Sequence, residues 1–314
     1  MIVDASFDPE LNLVAATLQL LDPHGALTAQ VLRETFDQIY DGQRTGRYSI
    51  ERLAKTERTH IGTLVEINMQ RRFGYADGKD LDFAVAGHDV DAKYSMRFGG
   101  WMIPIEAQGK LCMLIHADDI AARWSLGVFR ASLELLNAPN RDSKRTIKSI
   151  HLDRAKWLFK DSKLPENTLL QLSAADQAAI EAVPVGKKRV AELMRRAEGR
   201  VVNRASIEAT AQQKDYMKRV RANGGAADDL SKEGFLLLGG TRLASQRVAN
   251  DLGLQIPMPG AFVPIRVTLA ESGTKEPVAT IDGVAIRRWN KGERVIDTAT
   301  FNRSLNGPAA AGAE

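Results

Sequence analysis

The 314-residue chain is 44% hydrophobic and 26% charged, with a formal net charge of +4 and a pI near 9.1. That is long enough for one large domain or two ordinary ones, and the balance is that of a globular protein, not of a disordered or collagen-like chain. No apolar run reaches bilayer length, the opening MIVDASFDPELN lacks the basic start and apolar stretch of a signal peptide, and a single cysteine, Cys112, allows neither an internal disulfide nor a CxxC knuckle. A cytoplasmic protein with no membrane partner is expected, with Cys112 packed as a small hydrophobe inside LCMLIH.

In chain order, the first helix is expected over residues 28–40, where Val31, Leu32, Phe36 and Ile39 fall near one face, and Asp41-Gly42 ends it. A second covers 61–73 and is broken by Gly74 and Asp77-Gly78. A hairpin follows, with LDFAVA as one strand, Gly87-His88 as the turn and DVDAKYS as the return strand. LCMLIH and SLGVFRAS are strands suited to burial, helical character resumes near 132–136, and NAPNRDSKRT is a polar loop. WLFKDSKLP closes a first domain. The expected division is a first domain over 1–160, a linker at 161–165, a second domain over 166–305 and a disordered tail at 306–314.

Within the second domain, Ser173 caps a helix that stops before Pro184. GKKRVAELMRRAEGR is a short basic amphipathic helix, and a longer helix over 205–222 ends at Asn223-Gly224-Gly225. FLLLGG is a strand, SQRVANDLG a helix with Ser245 as its cap, and AFVPIRVTLA, PVATIDG and VAIRRW are strands with turns between them. Helices of this size followed by hairpin strands outline a winged helix-turn-helix. The fold class is α/β (α+β), with a mixed sheet flanked by helices in the first domain. Charge is uneven: residues 1–163 hold 22 Lys+Arg against 22 Asp+Glu, whereas 187–221 holds 11 against 4. A net +7 over 35 residues is a candidate phosphate-facing surface.

Residues 82–93, DFAVAGHDVDAK, carry the chemistry. Side chains alternate along a strand, so Asp91 and Lys93 share a face, and a hairpin can fold Asp82 back beside them. Carboxylates held this close repel unless a cation lies between them. Mg2+ suits hard carboxylate oxygens and binds through one or two of them plus substrate phosphate. Asp82 and Asp91 are therefore expected to hold Mg2+ with help from the Ala92 carbonyl. Glu66 is placed by the preceding helix to add a third carboxylate, for a second metal ion or for water. Lys93 would steady the charge of phosphodiester hydrolysis.

The order Glu66, Asp82, Asp91-x-Lys93 resembles the active-site pattern of the PD-(D/E)xK nucleases, with Leu81 where that pattern has proline. The blocks TFDQIYDGQRTGR, KTERTHIGTLVEIN, VDAKYSM, GGWMIP, NRDSKR, KRVRANGG and VANDLGL resemble the NaeI family of type II restriction endonucleases. The resemblance implies a restriction-endonuclease-like core with Glu66, Asp82, Asp91 and Lys93 as its catalytic set. It also implies a winged-helix second domain that binds another copy of the DNA site and activates cleavage, and a homodimer acting on a short, GC-rich palindrome. Two rivals are a repair-type nickase of the same fold and a DNA-binding regulator without catalysis.

Residues 39–44, IYDGQR, also resemble the KxDGxR motif of DNA ligases, but Ile39 stands where the nucleophilic lysine belongs, which excludes ligase chemistry there. Candidate DNA contacts in the first half are Arg44, Arg47, Lys55, Arg97, Asn140, Arg141 and Asp142; Arg and Asn make bidentate contacts to base edges. In the second half they are Arg204, Gln212, Gln213, Lys214, Lys218, Arg219 and Arg221, with Lys214, Lys218 and Arg221 on one helical face. His88 is expected exposed in the hairpin turn. Met96, Trp101, Met102 and Trp124 are expected in the core or an interface, and with only 6% aromatic residues the chain is a poor single-strand stacking platform.

Overall fold

The computed structural model describes residues 8–221 and 224–306. The chain separates into two units, Met1–Ile39 with Ser49–Glu166, and Tyr40–Tyr48 with Asn167–Glu314. Residues 161–163, expected in a linker, instead finish a strand. Of the expected tail, Asn306 ends a helix and 307–314 lie outside the described residues, as do Asn223 and the first seven residues.

The first unit opens with a helix not expected from the sequence. Asp8 accepts a hydrogen bond from the Leu11 amide at 3.0 Å, Pro9 fits the first turn, and Glu10 lies at the positive end of the helix dipole. This is α1 (Pro9–Leu21); α2 (Ala26–Tyr40) follows. The short α3 (Gly42–Thr45) clusters with the second unit, and α4 (Lys55–Phe73) begins six residues before the expected 61 and ends at a left-handed Gly74.

Six strands then form one sheet in sequence order: β1 (Ala76–Asp77), β2 (Phe83–Val85), β3 (His88–Ser95), β4 (Leu111–Asp118), β5 (Arg123–Arg130) and β6 (Lys156–Lys163). Only β3 and β4 run parallel, so the sheet is mixed, as expected. Ser162 and Lys163 pair with Trp124 and Arg123 of β5, which is why the linker expectation fails there. Residues 132–136 form a single 3-10 turn, Leu133–Leu135, not a helix.

β4 is central and buried along most of its length. Its Cys112 and Leu114 pack with Trp101, Ile103 and Phe129, and the indole of Trp101 donates to the Ile115 carbonyl at 2.8 Å. Trp101 and Trp124 are core residues, whereas Met96 and Met102 are 37% and 38% exposed, which rules out the core half of the expectation for them and leaves the interface half. Arg33 of α2 makes a buried two-pronged pair with Asp119, just past β4, and also bonds Asp37 one turn along its own helix.

The second unit holds α5 (Ala174–Ala182), α6 (Lys187–Arg196), α7 (Arg204–Ala211), α8 (Tyr216–Val220), α9 (Ala226–Ser231), β7 (Phe235–Gly239), α10 (Leu243–Asp251), β8 (Phe262–Leu269), β9 (Val278–Ile281), β10 (Val284–Arg288) and α11 (Ala299–Asn306). Its four strands pair antiparallel in the order β7-β8-β10-β9. FLLLG is apolar throughout because both faces of β7 are covered. Phe235 and Leu237 pack among residues of α6, α7 and α9, while Leu236 and Leu238 pack among residues of α10 and α11. Asp282 and Gly283, both at positive φ, make the tight β9–β10 turn.

Three expectations change here. The helix over 205–222 breaks at Gln212, whose left-handed backbone ends α7, and α8 restarts under an Asp215 cap. Lys214 therefore does not share a helical face with Lys218 and Arg221. Ser245 does not cap α10; it is buried inside that helix and bonds the Leu305 carbonyl at 3.3 Å. The basic surface over 187–221 is partly neutralised within the chain: Arg195 binds Glu192 and Glu233, Arg196 binds Glu192 and Asp176, and Lys187 lies 3.2 Å from Asp229.

Candidate active site

The hairpin of β2 and β3 builds the site. Its turn is Ala86-Gly87, one residue before the expected position, with φ of 51° and 81°, the pattern of a two-residue primed turn. His88 is consequently the first residue of β3, half-buried, with Nδ1 4.0 Å from Glu10. Register pairs Phe83 with Val90, which brings Asp82, one residue before β2, beside Asp91 and Ala92. Alternation then carries Asp89, Asp91 and Lys93 on one face of β3.

Four groups meet. Asp82 Oδ2 accepts from the Ala92 amide at 2.7 Å. The Lys93 ammonium donates to Asp91 Oδ1 at 2.7 Å and to the Ala92 carbonyl at 3.0 Å, and lies 3.8 Å from Asp82 Oδ2. The side chains of Asp91, Lys93 and Asp82 are only 5%, 20% and 25% exposed, so these charges are weakly screened. Glu66, half-buried on α4, is not hydrogen-bonded into this group among the described contacts, but it feels both Asp82 and Lys93.

Burial pushes the Asp91 carboxyl up to about 6; the hydrogen bond and charge of Lys93 oppose this and Asp82 adds to it. Burial also raises Glu66, reinforced by Asp82 and offset by Lys93. For Lys93 burial acts to lower the value, but the bond to Asp91 and the charges of Asp91 and Asp82 outweigh it and hold the ammonium above its ordinary value.

Two supporting residues were not foreseen. Asp89 accepts from the Lys79 and Asp80 amides at 2.9 and 2.8 Å and so pins the loop that presents Asp82. Its position two residues before Asp91, on the same strand face, was the available signal. In that loop Gly78 leaves no room for a side chain: a Cβ there would lie 2.3 Å from the Leu81 carbonyl oxygen. Cys112 is buried as expected, but it is also the register partner of Asp91, with Sγ 4.0 Å from Asp91 Oδ2. Burial raises its thiol pKa, so it stays a neutral neighbour.

Asp91 Oδ1, Asp82 Oδ2 and the Ala92 carbonyl oxygen converge on one positive charge, here the ammonium of Lys93. Such hard oxygen donors fit Mg2+. Among the described residues no three His, Cys, Asp or Glu side chains form a metal cluster by themselves, so an ion here would draw its remaining ligands from water and substrate phosphate.

The other candidates are scattered. Lys55 is exposed on the first turn of α4, and Arg97 is exposed in the loop directly after β3. Asn140 spends its side-chain oxygen on the Asp142 and Lys144 amides, shaping its own turn, while Arg141 and Asp142 are exposed and face each other at 3.5 Å. In the second unit Arg44 is exposed near Asp41, Arg47 bonds the Tyr40 carbonyl, and Arg204 is held by Glu208 and stacks over Tyr216. Gln212 caps α7, and the backbone carbonyls of Gln213 and Lys214 accept from Gln43. Lys218 lies 3.6 Å from Asp215, and Arg219 and Arg221 follow on and after α8.

Residues 12–297 match the family described as restriction endonuclease NaeI. The chain is also 44% identical over 289 residues, 90% of each chain, to the type II restriction enzyme NaeI of Lentzea aerocolonigenes. With that match running through both units and across the whole Asp82–Lys93 hairpin, the chain belongs to the NaeI family of restriction endonucleases.

Proposed function

We propose that this restriction endonuclease hydrolyses both strands of duplex DNA at a short palindrome, GC-rich by the family resemblance, with Mg2+ as cofactor. It would act as a homodimer with one catalytic set per subunit, and its second unit, of winged-helix type, would bind a further copy of the site and activate cleavage. The observation that carries the catalytic reading is the convergence of two carboxylates, a backbone carbonyl and an ammonium on the β2–β3 hairpin.

Asp91, Asp82 and the Ala92 carbonyl would hold the ion. Its contribution when bound is to offset charge on the scissile phosphate and to make water a better nucleophile. Lys93, kept protonated by its two acidic neighbours, places positive charge where negative charge builds on the attacking and phosphate oxygens. Glu66, biased by burial toward its neutral form, orients water beside the group. Asp89 and Gly78 keep Asp82 at its station. Exposed Arg97, just after β3, supplies a phosphate contact near the hairpin, and exposed Lys55 supplies another from the first turn of α4.

The test is Asp91→Ala. Cleavage of plasmid DNA in Mg2+ should fall by at least about a thousandfold, while duplex binding measured without Mg2+ stays within a few-fold. Near-normal cutting would refute the assignment.

A further inference from the structure

Between α7 and α8 the backbone breaks where its residues fit a single helix. Residues 204–221 contain neither Gly nor Pro. Ala209, Gln213, Tyr216 and Val220 recur at the spacing of one helical face, and Ala209, Tyr216 and Val220 are buried. The break nevertheless puts Gln212 at φ 48° and ψ 43°, a region that residues with a long side chain rarely occupy. It also leaves the side-chain oxygen of Gln213 buried with no hydrogen-bond donor among the described residues.

The segment 40–48 of the same unit holds the break. In one continuous helix the Gln213 and Lys214 carbonyls would accept from the amides of Met217 and Lys218. Here Gln43 Nε2 donates to both carbonyls, at 2.9 and 3.1 Å, and the Lys218 amide turns to Asp215 Oδ1 at 3.2 Å. The Gln212 side chain lies so close to Gly46 that a Cβ there would meet its Nε2 at 2.5 Å. A continuous helix would also line up Lys214, Lys218 and Arg221 on the side away from Tyr216 and Val220. Three like charges in a row repel one another, and the phosphates of a duplex would relieve that repulsion.

We propose that α7 and α8 form a two-state switch, broken in the free protein and joined into one helix when duplex DNA lies along Lys214, Lys218 and Arg221. DNA favours the joined form because only there do the three charges stand in one row. Joining takes the Gln213 and Lys214 carbonyls away from Gln43 and so frees the 40–48 segment. That segment continues from the end of α2. The side-chain amide of Asn68 on α4, two residues past Glu66, donates to Thr35 and Gln38 of α2 at 2.9 Å each. The freed segment therefore leads along the chain, through α2, to the helix that carries Glu66. The switch presupposes the reading of the second unit as a domain that binds DNA and activates cleavage.

Hydrogen exchange of the full-length protein without divalent ions is followed by mass spectrometry, alone and with excess plasmid DNA, and filter retention of the DNA reports binding. Gln212→Gly removes the cost of the left-handed backbone and penalises the joined helix. Gln43→Ala removes the amide that holds the break. Thermal melting checks that both variants fold, and either one decides alone if the other does not. On binding DNA, the wild-type amides of residues 213–216 should slow by at least about tenfold while those of residues 40–48 quicken; simple shielding by DNA would slow them without quickening 40–48. Gln43→Ala should show both changes without DNA, and Gln212→Gly should retain DNA and show neither. The proposal is overturned if the wild type binds DNA with exchange at 213–216 unchanged, if 40–48 does not quicken, or if Gln212→Gly responds as the wild type does. If no DNA is retained, the DNA-binding reading of the unit falls, and Gln43→Ala then decides the two-state helix by itself: unchanged exchange at 213–216 overturns it, and slowing there upholds it.

Discussion

Asp91→Asn should make the metal-free protein more stable while removing its activity. Asp91 is buried, and its folded pKa of about 6 lies above the usual 3.8. A group whose value is raised on folding favours the fold while protonated: the contribution is complete below the unfolded value and is lost as pH climbs through the folded one. The gap between about 6 and 3.8, at 1.36 kcal/mol per pKa unit, makes ionised Asp91 cost about 3 kcal/mol at neutral pH and above. Asparagine keeps the shape and an oxygen for Lys93 but removes the titrating charge. Urea unfolding in the presence of a chelator should therefore find Asp91→Asn more stable than the wild type by about 1–3 kcal/mol near pH 7.5, with the difference shrinking toward pH 4. Saturating Ca2+ should stabilise the wild type and do little for the variant, because an ion at the site supplies the missing counter-charge. A variant less stable than wild type near pH 7.5, or an offset identical at both pH values, would refute the reasoning.

Other consequences follow from the same contacts. Asp119→Ala removes the partner of a buried guanidinium and should cost about 3 kcal/mol, somewhat softened because Arg33 keeps Asp37; an unchanged urea midpoint would contradict this. Asp89→Ala frees the Lys79 and Asp80 amides and lets the Asp82 loop drift. Cleavage should drop about 10-fold to 100-fold, as for residues that orient ligands, and need more Mg2+ for half-maximal rate; an unchanged Mg2+ titration would show that the loop is held by other means. Gly78→Ala should likewise impair cleavage, since the Leu81 carbonyl has to move to admit the methyl group, and full activity in that variant would remove the close approach from the account.

The catalytic hairpin is legible in the amino-acid sequence because alternation along a strand is a strong rule and the chemistry sits at its ends. Its turn falls one residue earlier than expected because Ala86 adopts the positive φ that turn rules assign to Gly, Asn or Asp. The helix at Pro9–Leu21 carries a clear start signal in Asp8-Pro9-Glu10, so its residues did contain what was needed to expect it. The break at Gln212 has no such signal: neither Gly nor Pro marks it, and a helix-compatible run continues through it. Counting charges along residues 187–221 overstates the free basic surface because the neutralising acids, Asp176, Asp229 and Glu233, lie outside that segment and reach it only through the fold. The turn role of Asn140 is hidden for a related reason: its side-chain oxygen accepts from the Asp142 and Lys144 amides of its own loop.

The most direct measurement is to incubate the purified protein with plasmids of known sequence in Mg2+ and to map every new end. The account predicts linear fragments whose ends all fall at one short palindrome, none with chelator, and none from the Asp91→Ala protein. Nicked circles only, ends scattered without a shared sequence, or cutting that persists in chelator would contradict it.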